Sequence, residues 1–300
     1  MIVATKGSVF GLLAWQWKNV LLFTIGGLVA AVPYYLLGQP EWLRLPPAPV
    51  TVVGAALGIF VSFRTNSAYD RWWEGRKLWG RMINTSRHFC TQVLTMLPDD
   101  AGEIKTRMVR RHVAYVHALR SLLRVQNPFK DDDFLAILPD DADGLRAESN
   151  LTHALLHRQA EDFMALDDAG RLSEFRVQRL DESILHLLDI QGGCERIKKT
   201  PLPRGYGFIA ERLIVAFGLT FPFAVVHDLG WVVVPVNVLV CLAFALISEA
   251  GRVLEDPFTM FWNGLPLSAI SRMIEVNLRQ RLGETDLPPM IKASDKGVLM

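Results

Sequence analysis

One stretch constrains the chain more than any other: residues 50–81, VTVVGAALGIFVSFRTNSAYDRWWEGRKLWGR. Its first part, residues 50–63, is uncharged and rich in Gly, Ala and β-branched side chains. From Arg64 onward it carries Arg64, Asp70, Arg71, Glu74, Arg76, Lys77 and Arg81 among Trp72, Trp73 and Trp79. As one continuous helix it leaves an apolar medium and continues into water, with tryptophan at the boundary and basic groups beyond. The uncharged part is shorter than the ~20 residues that cross hydrocarbon unaided, which places it inside a bundle. Ala55, Ile59 and Phe63 recur at every fourth position and form one stripe; Gly54 and Gly58 form a neighbouring stripe where another helix can approach closely.

The formal charge of +1 and the 50% hydrophobic content exclude a polyanion-binding arm and a disordered chain, but not a soluble enzyme. Distribution separates the remaining classes. Residues 20–40 carry no charge and are long enough to span, with a kink expected at Pro33 and Tyr34, Tyr35 and Trp42 at the far interface. Residues 213–227, containing Pro222, and 229–248, containing Pro235, are two further apolar runs joined at His227-Asp228-Leu229-Gly230. Lys6, Lys18, the residues from Arg64 to Arg81, Arg196, Lys198, Lys199, Arg204 and Arg252 flank the inner ends, whereas the outer loops hold only Arg44. The positive-inside rule therefore gives four spans with both termini in the cytoplasm. No cleavable leader is expected, because the first residues lack a small-residue cleavage pattern. Cys90, Cys194 and Cys241 have no paired spacing, so a disulfide frame and a zinc ribbon are both unsupported.

The middle of the chain is polar and helical. Residues 104–123 place Met108, His112, Tyr115, Leu119 and Leu122 at helical spacing, and residues 151–166 repeat the style. Residues 127–143 read as a solvated loop holding a short helix, and residues 172–197 as one long helix loosened at Gly192 and Gly193 and ended by Pro201 and Pro203. A last amphipathic helix is expected over residues 267–282. Residues 10–18, with Trp15, Trp17 and Lys18, suit an interfacial segment or a plain core helix.

The run FRTNSAYDRWWEGRKLWGR resembles the signature of the bestrophin family of pentameric ion channels, particularly its bacterial members. QGGCERIKKTPLP and EDPF, further on, resemble the family's later motifs in the same order. The resemblance implies five subunits around one pore, with Ala55, Ile59 and Phe63 forming a narrow apolar neck. It also implies a second constriction early in the long helix before QGGCER; counting back from Pro203 reaches Phe175, and a shift of two or three residues selects Leu172 or Val177. Animal members carry bulkier, more aromatic neck residues, so Ala55 and Ile59 give a wider neck with fewer positively polarised ring edges to favour an anion. That tilts the expectation towards cations, as bacterial members resemble. Animal members also bind calcium through an acidic run after the EDPF-like motif. Here TMFWNGL follows, leaving Glu255, Asp256 and Asn263 where a calcium site takes six to eight oxygens. Calcium gating is not expected.

Two other constellations compete. His153, His157 and Glu161 share one helix face and contain the donor types of a zinc or iron site, but HxxxH alone is weak and solvated side chains are the default. Glu211, Arg212 and Asp228 border the third span and Asn237 lies in the fourth; a structural role outweighs a proton or ion relay.

The expectation is thus an all-α integral membrane protein with four transmembrane helices and a large helical cytoplasmic part. Its regions are residues 1–83 (first two spans and neck), 84–204 (cytoplasmic), 205–252 (third and fourth spans) and 253–300 (cytoplasmic). A homopentamer in the bacterial inner membrane would passively conduct monovalent ions, sodium favoured, without catalysis, metal, cofactor or nucleic acid. The alternatives are a chloride-selective channel of the same architecture and a membrane-anchored metalloenzyme.

Overall fold

The computed structural model describes residues 9–138, 140–295 and 297–299. Lys6, counted among the inner-end cations, lies outside them. The helices are α1 (Val9–Trp15), α2 (Trp17–Leu36), α3 (Pro47–Met96), α4 (Gly102–Leu123), α5 (Asp132–Ile137), α6 (Leu151–Asp168), α7 (Glu174–Lys199), α8 (Arg204–Leu229), α9 (Val233–Leu254) and α10 (Leu267–Arg281). Among the described residues no β-strand forms. Two compact units result: an apolar one ending its first segment at Trp72 and completed by Pro201–Glu255, and a polar one made of Trp73–Thr200 and the residues from Asp256.

Among the described residues three helical stretches are long and apolar enough to cross a membrane: Trp17–Leu36, Glu41–Met96 and Gly205–Leu254. The last is broken by a 3-10 turn, Gly230–Val232, into α8 and α9. Gly230 makes the break with a φ of +56°, and a Cβ there would meet the Tyr35 hydroxyl at 2.8 Å. The helix over residues 50–81 is therefore longer than expected, running from Pro47 through Met96. Pro47 and Pro49 fall in its first turn, where a missing N–H costs no intrahelical bond.

In the apolar unit α2, α8 and α9 pack on one another through small residues. A Cβ on Gly26 would stand 2.9 Å from the Gly218 carbonyl oxygen, one on Gly27 2.9 Å from the Val234 Cα, and one on Gly218 2.7 Å from the Phe23 ring. Asn237, fully buried, joins the three helices: its amide donates to the carbonyls of Phe23 at 2.8 Å and Gly218 at 3.0 Å. Phe23, Leu57, Val61, Ile214, Phe217 and Cys241 fill the core between them. At the other end Tyr34 ties α2 to His227 and to Arg44, whose guanidinium donates to the Tyr34 hydroxyl, each at 3.0 Å.

The polar unit is built around α4, which buries Met108, Val109, His112, Val113, Tyr115, Val116 and Leu119. Leu122, expected on that face, is instead 42% exposed. Tyr115 donates to the Leu187 carbonyl on α7, and Gln159 of α6 donates to the Met108 carbonyl. Asn150 caps α6 by accepting from the His153 N–H, and Asp131 caps α5 by accepting from the Asp133 N–H. Glu275 of α10 gathers His117, Arg272 and Arg279. Helix α7 runs unbroken through Gly192 and Gly193. Gly193 is there for proximity rather than loosening, since a Cβ would strike the Leu78 side chain at 2.9 Å.

Two outcomes follow. Gly27→Ala forces α2 off the α9 backbone and should cost about 1–3 kcal/mol, read as a lower thermal midpoint in detergent. Gly192→Ala, which meets nothing within 4 Å, should raise the midpoint slightly by helix propensity; equal effects would contradict the packing. The second outcome concerns His112, fully buried between the Phe89 and Tyr115 rings with neither ring nitrogen bonded. Burial pushes its imidazole from 6.5 down to about 3. The unfolded chain takes up a proton near pH 6.5 that the folded one refuses. This contribution to stability is complete above that pH and declines towards about 3, by up to about 1.4 kcal/mol per pH unit. His112→Phe should flatten the pH dependence of the thermal midpoint between about pH 6.5 and 5; an unchanged slope would contradict it.

Candidate functional site

The stripe read from the sequence is held outward by the packing of the opposite face of α3. Leu57, Val61, Arg64 and Ala68 are all at most 4% exposed, whereas Ile59 is 59% and Phe63 67% exposed. Ala55 is exposed beside them. Together with Gly58, Ser62 and Asn66 they line one open groove of about 410 Å³. Other large apolar side chains of the apolar unit, Leu36, Val52 and Leu239 among them, are exposed too; this stripe is distinguished by lining a groove that also holds Ser62 and Asn66.

Three contacts within the apolar unit set the rotation of α3. The first is the glycine stripe: Gly54 lies 3.0 Å, at its would-be Cβ, from the Phe217 ring, and Gly58 3.5 Å from the Phe244 ring. The expected close approach therefore happens, but through aromatic rings of α8 and α9 rather than through backbones. The second is Thr65, whose hydroxyl donates to the Ile247 carbonyl at 3.1 Å, against Gly251. The third is Arg64. Expected as a basic group at the water boundary, it is 4% exposed and donates to the Ser248 hydroxyl at 2.9 Å and to Glu255 at 2.7 Å. Gly207 leaves room for it, since a Cβ there would stand 3.0 Å from the guanidinium. Arg71 adds a bond to the Glu255 carbonyl.

Trp79, likewise expected at the boundary, is fully buried in the polar unit. Phe175, on the first turn of α7, is 82% exposed in a shallow groove with Met96, Gln178 and Glu182. Of the two neighbours that a register shift selects, Leu172 is buried and Val177 half-buried. The residues expected to form the neck thus come together along one groove, and Phe175 belongs to the polar unit.

The competing constellations resolve differently. His153 and His157 stack 6.4 Å apart on α6, and His157 reaches Glu161 at 3.5 Å in an exposed pair. Among the described residues no three His, Cys, Asp or Glu side chains are grouped to hold a metal ion. Glu255 is committed to Arg64, and Asp256 accepts from Lys198 at 2.5 Å and from the Phe258 N–H at 3.1 Å. Asn237 is structural, as described above. The sequence reading missed Ser62 and Asn66 as groove residues, although both fall within one helical turn of Phe63 and their register would have identified them.

Residues 1–280 match the family model described as bacterial/fungal bestrophin protein. The chain belongs to the bacterial and fungal bestrophin family. This bestrophin is 32% identical over 293 residues to the voltage-dependent anion channel-forming protein YneE of Escherichia coli (strain K12), covering 97% of this chain and 93% of that one. A voltage-dependent anion channel-forming protein of Ralstonia nicotianae is 33% identical, with 96% and 92% covered. A crystal structure of a bacterial bestrophin homologue from Klebsiella pneumoniae superposes with a TM-score of 0.83 at 30% identity, covering 89% of this chain and 98% of that one. A second, obtained by Zn-SAD phasing, gives 0.82 at 31%, covering 91% and 99%. The Escherichia coli and Ralstonia relatives are named as channel-forming proteins, and the Klebsiella homologues share the fold of this chain.

Glu255→Ala should show what holds the stripe of this bestrophin outward. It leaves the buried Arg64 guanidinium with only the Ser248 contacts, and because Glu255 is 31% exposed the cost should be about 1–3 kcal/mol rather than that of a wholly buried pair. Glu182→Ala, which breaks an exposed pair with Arg179, should leave the thermal midpoint nearly unchanged. Equal midpoints in both variants would contradict the anchoring role.

Proposed function

We propose that the chain is one subunit of a homopentameric channel that passively conducts monovalent ions. The exposed stripe Ala55, Ile59 and Phe63 forms an apolar neck around the common axis, and Phe175 forms an aperture at the cytoplasmic end. The observation that carries this reading is the exposure of Ile59 and Phe63, lining one groove with Ser62 and Asn66, on a helix whose opposite strip, Leu57, Val61, Arg64 and Ala68, is buried. Membership of a family whose relatives are named as channel-forming supports it. Four spans are assigned to α2, the first part of α3, α8 and α9, in the bacterial inner membrane, and the basic groups at their inner ends put both termini in the cytoplasm.

In such a neck an ion sheds water without receiving ligands, so passage depends on wall mobility and on dewetting. We assign preference to cations, sodium foremost. The stripe offers one aromatic ring per subunit, Phe63, and so few positive ring edges for an anion. Asp189 is exposed on the same face of α7 as Phe175 and has no ion pair among the described residues, whereas Glu182 on that face is paired with Arg179. Calcium is not assigned as a trigger, because Glu255 and Asp256 each neutralise a cation of the protein itself. The second reading is an anion channel, favoured by the names of the Escherichia coli and Ralstonia relatives and compatible with a neck that carries no fixed charge. No catalytic step enters either reading.

Purified protein in a planar bilayer under a sodium chloride gradient separates the two: a reversal potential near the sodium equilibrium value supports the first, one near the chloride value the second. Phe63→Ala and Ile59→Ala should each raise unitary conductance. Unchanged currents from correctly assembled variants would remove these residues from the conduction path.

A further inference from the structure

The neck stripe does not end at Phe63. At 100° per residue, Asn66 and Asp70 each lie within about 20° of Ile59 around the axis of α3, so the apolar stripe continues into an amide and then a carboxylate. Both side chains are exposed. The Asp70 carboxylate has no ion pair or hydrogen bond among the described residues, unlike the charges closest to it in sequence; Arg76, Lys77 and Arg81, about two to three turns further along α3 and so farther from Phe63, have none either. Arg64 is bound to Glu255 and Ser248, Arg71 donates to the Glu255 carbonyl, and Glu74 accepts from Arg196. The hydroxyls of this region repeat the contrast. Thr51 and Ser67 each donate to the carbonyl four residues back and Thr65 to the Ile247 carbonyl, whereas Ser62, in the groove, donates to no carbonyl among the described residues.

We infer that Asp70 biases the neck towards cations, its copies forming an acidic collar at the inner mouth with Asn66 and Ser62 as the polar groups that first rehydrate the ion. The inference rests on the reading of Ala55, Ile59 and Phe63 as the neck and names the residue that tunes its selectivity. Distance decides which charges act there. Asp70 lies about 10 Å along the helix from Phe63, one Debye length at about 0.1 M salt. Lys77, on nearly the same face and of opposite sign, lies about 21 Å away, two Debye lengths, where its field is largely screened. Five carboxylates at the nearer distance raise the occupancy of a monovalent cation at the neck by about threefold and lower that of an anion by about as much. Their removal therefore changes the permeability ratio by about tenfold.

The experiment is the reversal potential of wild-type, Asp70→Asn, Asp70→Lys and Phe63→Ala proteins in planar bilayers under sodium chloride gradients, near 0.1 M and near 1 M salt, with assembly checked by size exclusion. Near 0.1 M, Asp70→Asn should lower the sodium-to-chloride permeability ratio by about tenfold and Asp70→Lys should lower it further; near 1 M, where the Debye length is about 3 Å, the shifts should largely vanish. The ratio is read relative to wild type, so the expectation holds whichever ion the wild type prefers. Unchanged ratios in both Asp70 variants, with Phe63→Ala raising conductance, would overturn the inference and leave the neck standing. Silence in all three variants would overturn the neck reading and the inference with it.

Discussion

The structure around the candidate neck depends on a buried guanidinium. Removing Arg64 from water is costly, and the cost is offset by Glu255 at 2.7 Å and the Ser248 hydroxyl at 2.9 Å, both at the C-terminal end of α9 or just beyond it. Because a guanidinium presents its donors in a fixed plane, two acceptors fix its direction as well as its position. Phe217 against Gly54, Phe244 against Gly58 and Thr65 against Ile247 act at other points along α3. Contacts spaced along the helix leave it little freedom to turn, so the outward face is determined by what is anchored on the inward face. A stripe of Ala, Ile and Phe then stays in the open despite the hydrophobic penalty of exposing it in a lone chain, which is the condition under which copies of the chain can share it.

The same logic runs through the rest of the apolar unit. Between helices in an apolar medium there is little hydrophobic drive, so close approach and internal hydrogen bonds hold them together. Gly26, Gly27 and Gly218 provide the approach. Asn237 provides the bonds, donating to two carbonyls on two other helices. The polar unit is held differently, by a buried helix α4 and by arginine and carboxylate networks such as Arg111 and Arg107 on Asp162.

Much of this was legible because periodicity and charge distribution are local properties. The long helix, the grouping of Ala55, Ile59 and Phe63 on one stripe, the glycine stripe and the helices of the polar middle section follow from spacing along the chain; the expectation that the first stripe is a pore wall rather than core came only from the family resemblance. What was not legible depended on partners far away in sequence. Arg64 and Trp79 look like boundary residues by composition, yet Glu255 and Ser248 take the first inward and the packing of the polar unit buries the second. Gly192 and Gly193 look alike in sequence, and only the Leu78 side chain distinguishes them. Asp70 is one charge in a mixed run by sequence; only the structure shows Arg64, Arg71 and Glu74 engaged while Asp70 makes no ion pair or hydrogen bond among the described residues.

The central claim is that the outward face of α3 is the wall of a shared pore, and a structure of the assembled protein in a lipid bilayer tests it most directly. The account predicts that the Ile59 and Phe63 side chains of neighbouring subunits face one another around a common axis, with α2, α8 and α9 between them and the lipid. Ile59 and Phe63 facing lipid, or packed into a contact between only two subunits with no open axis, would contradict it.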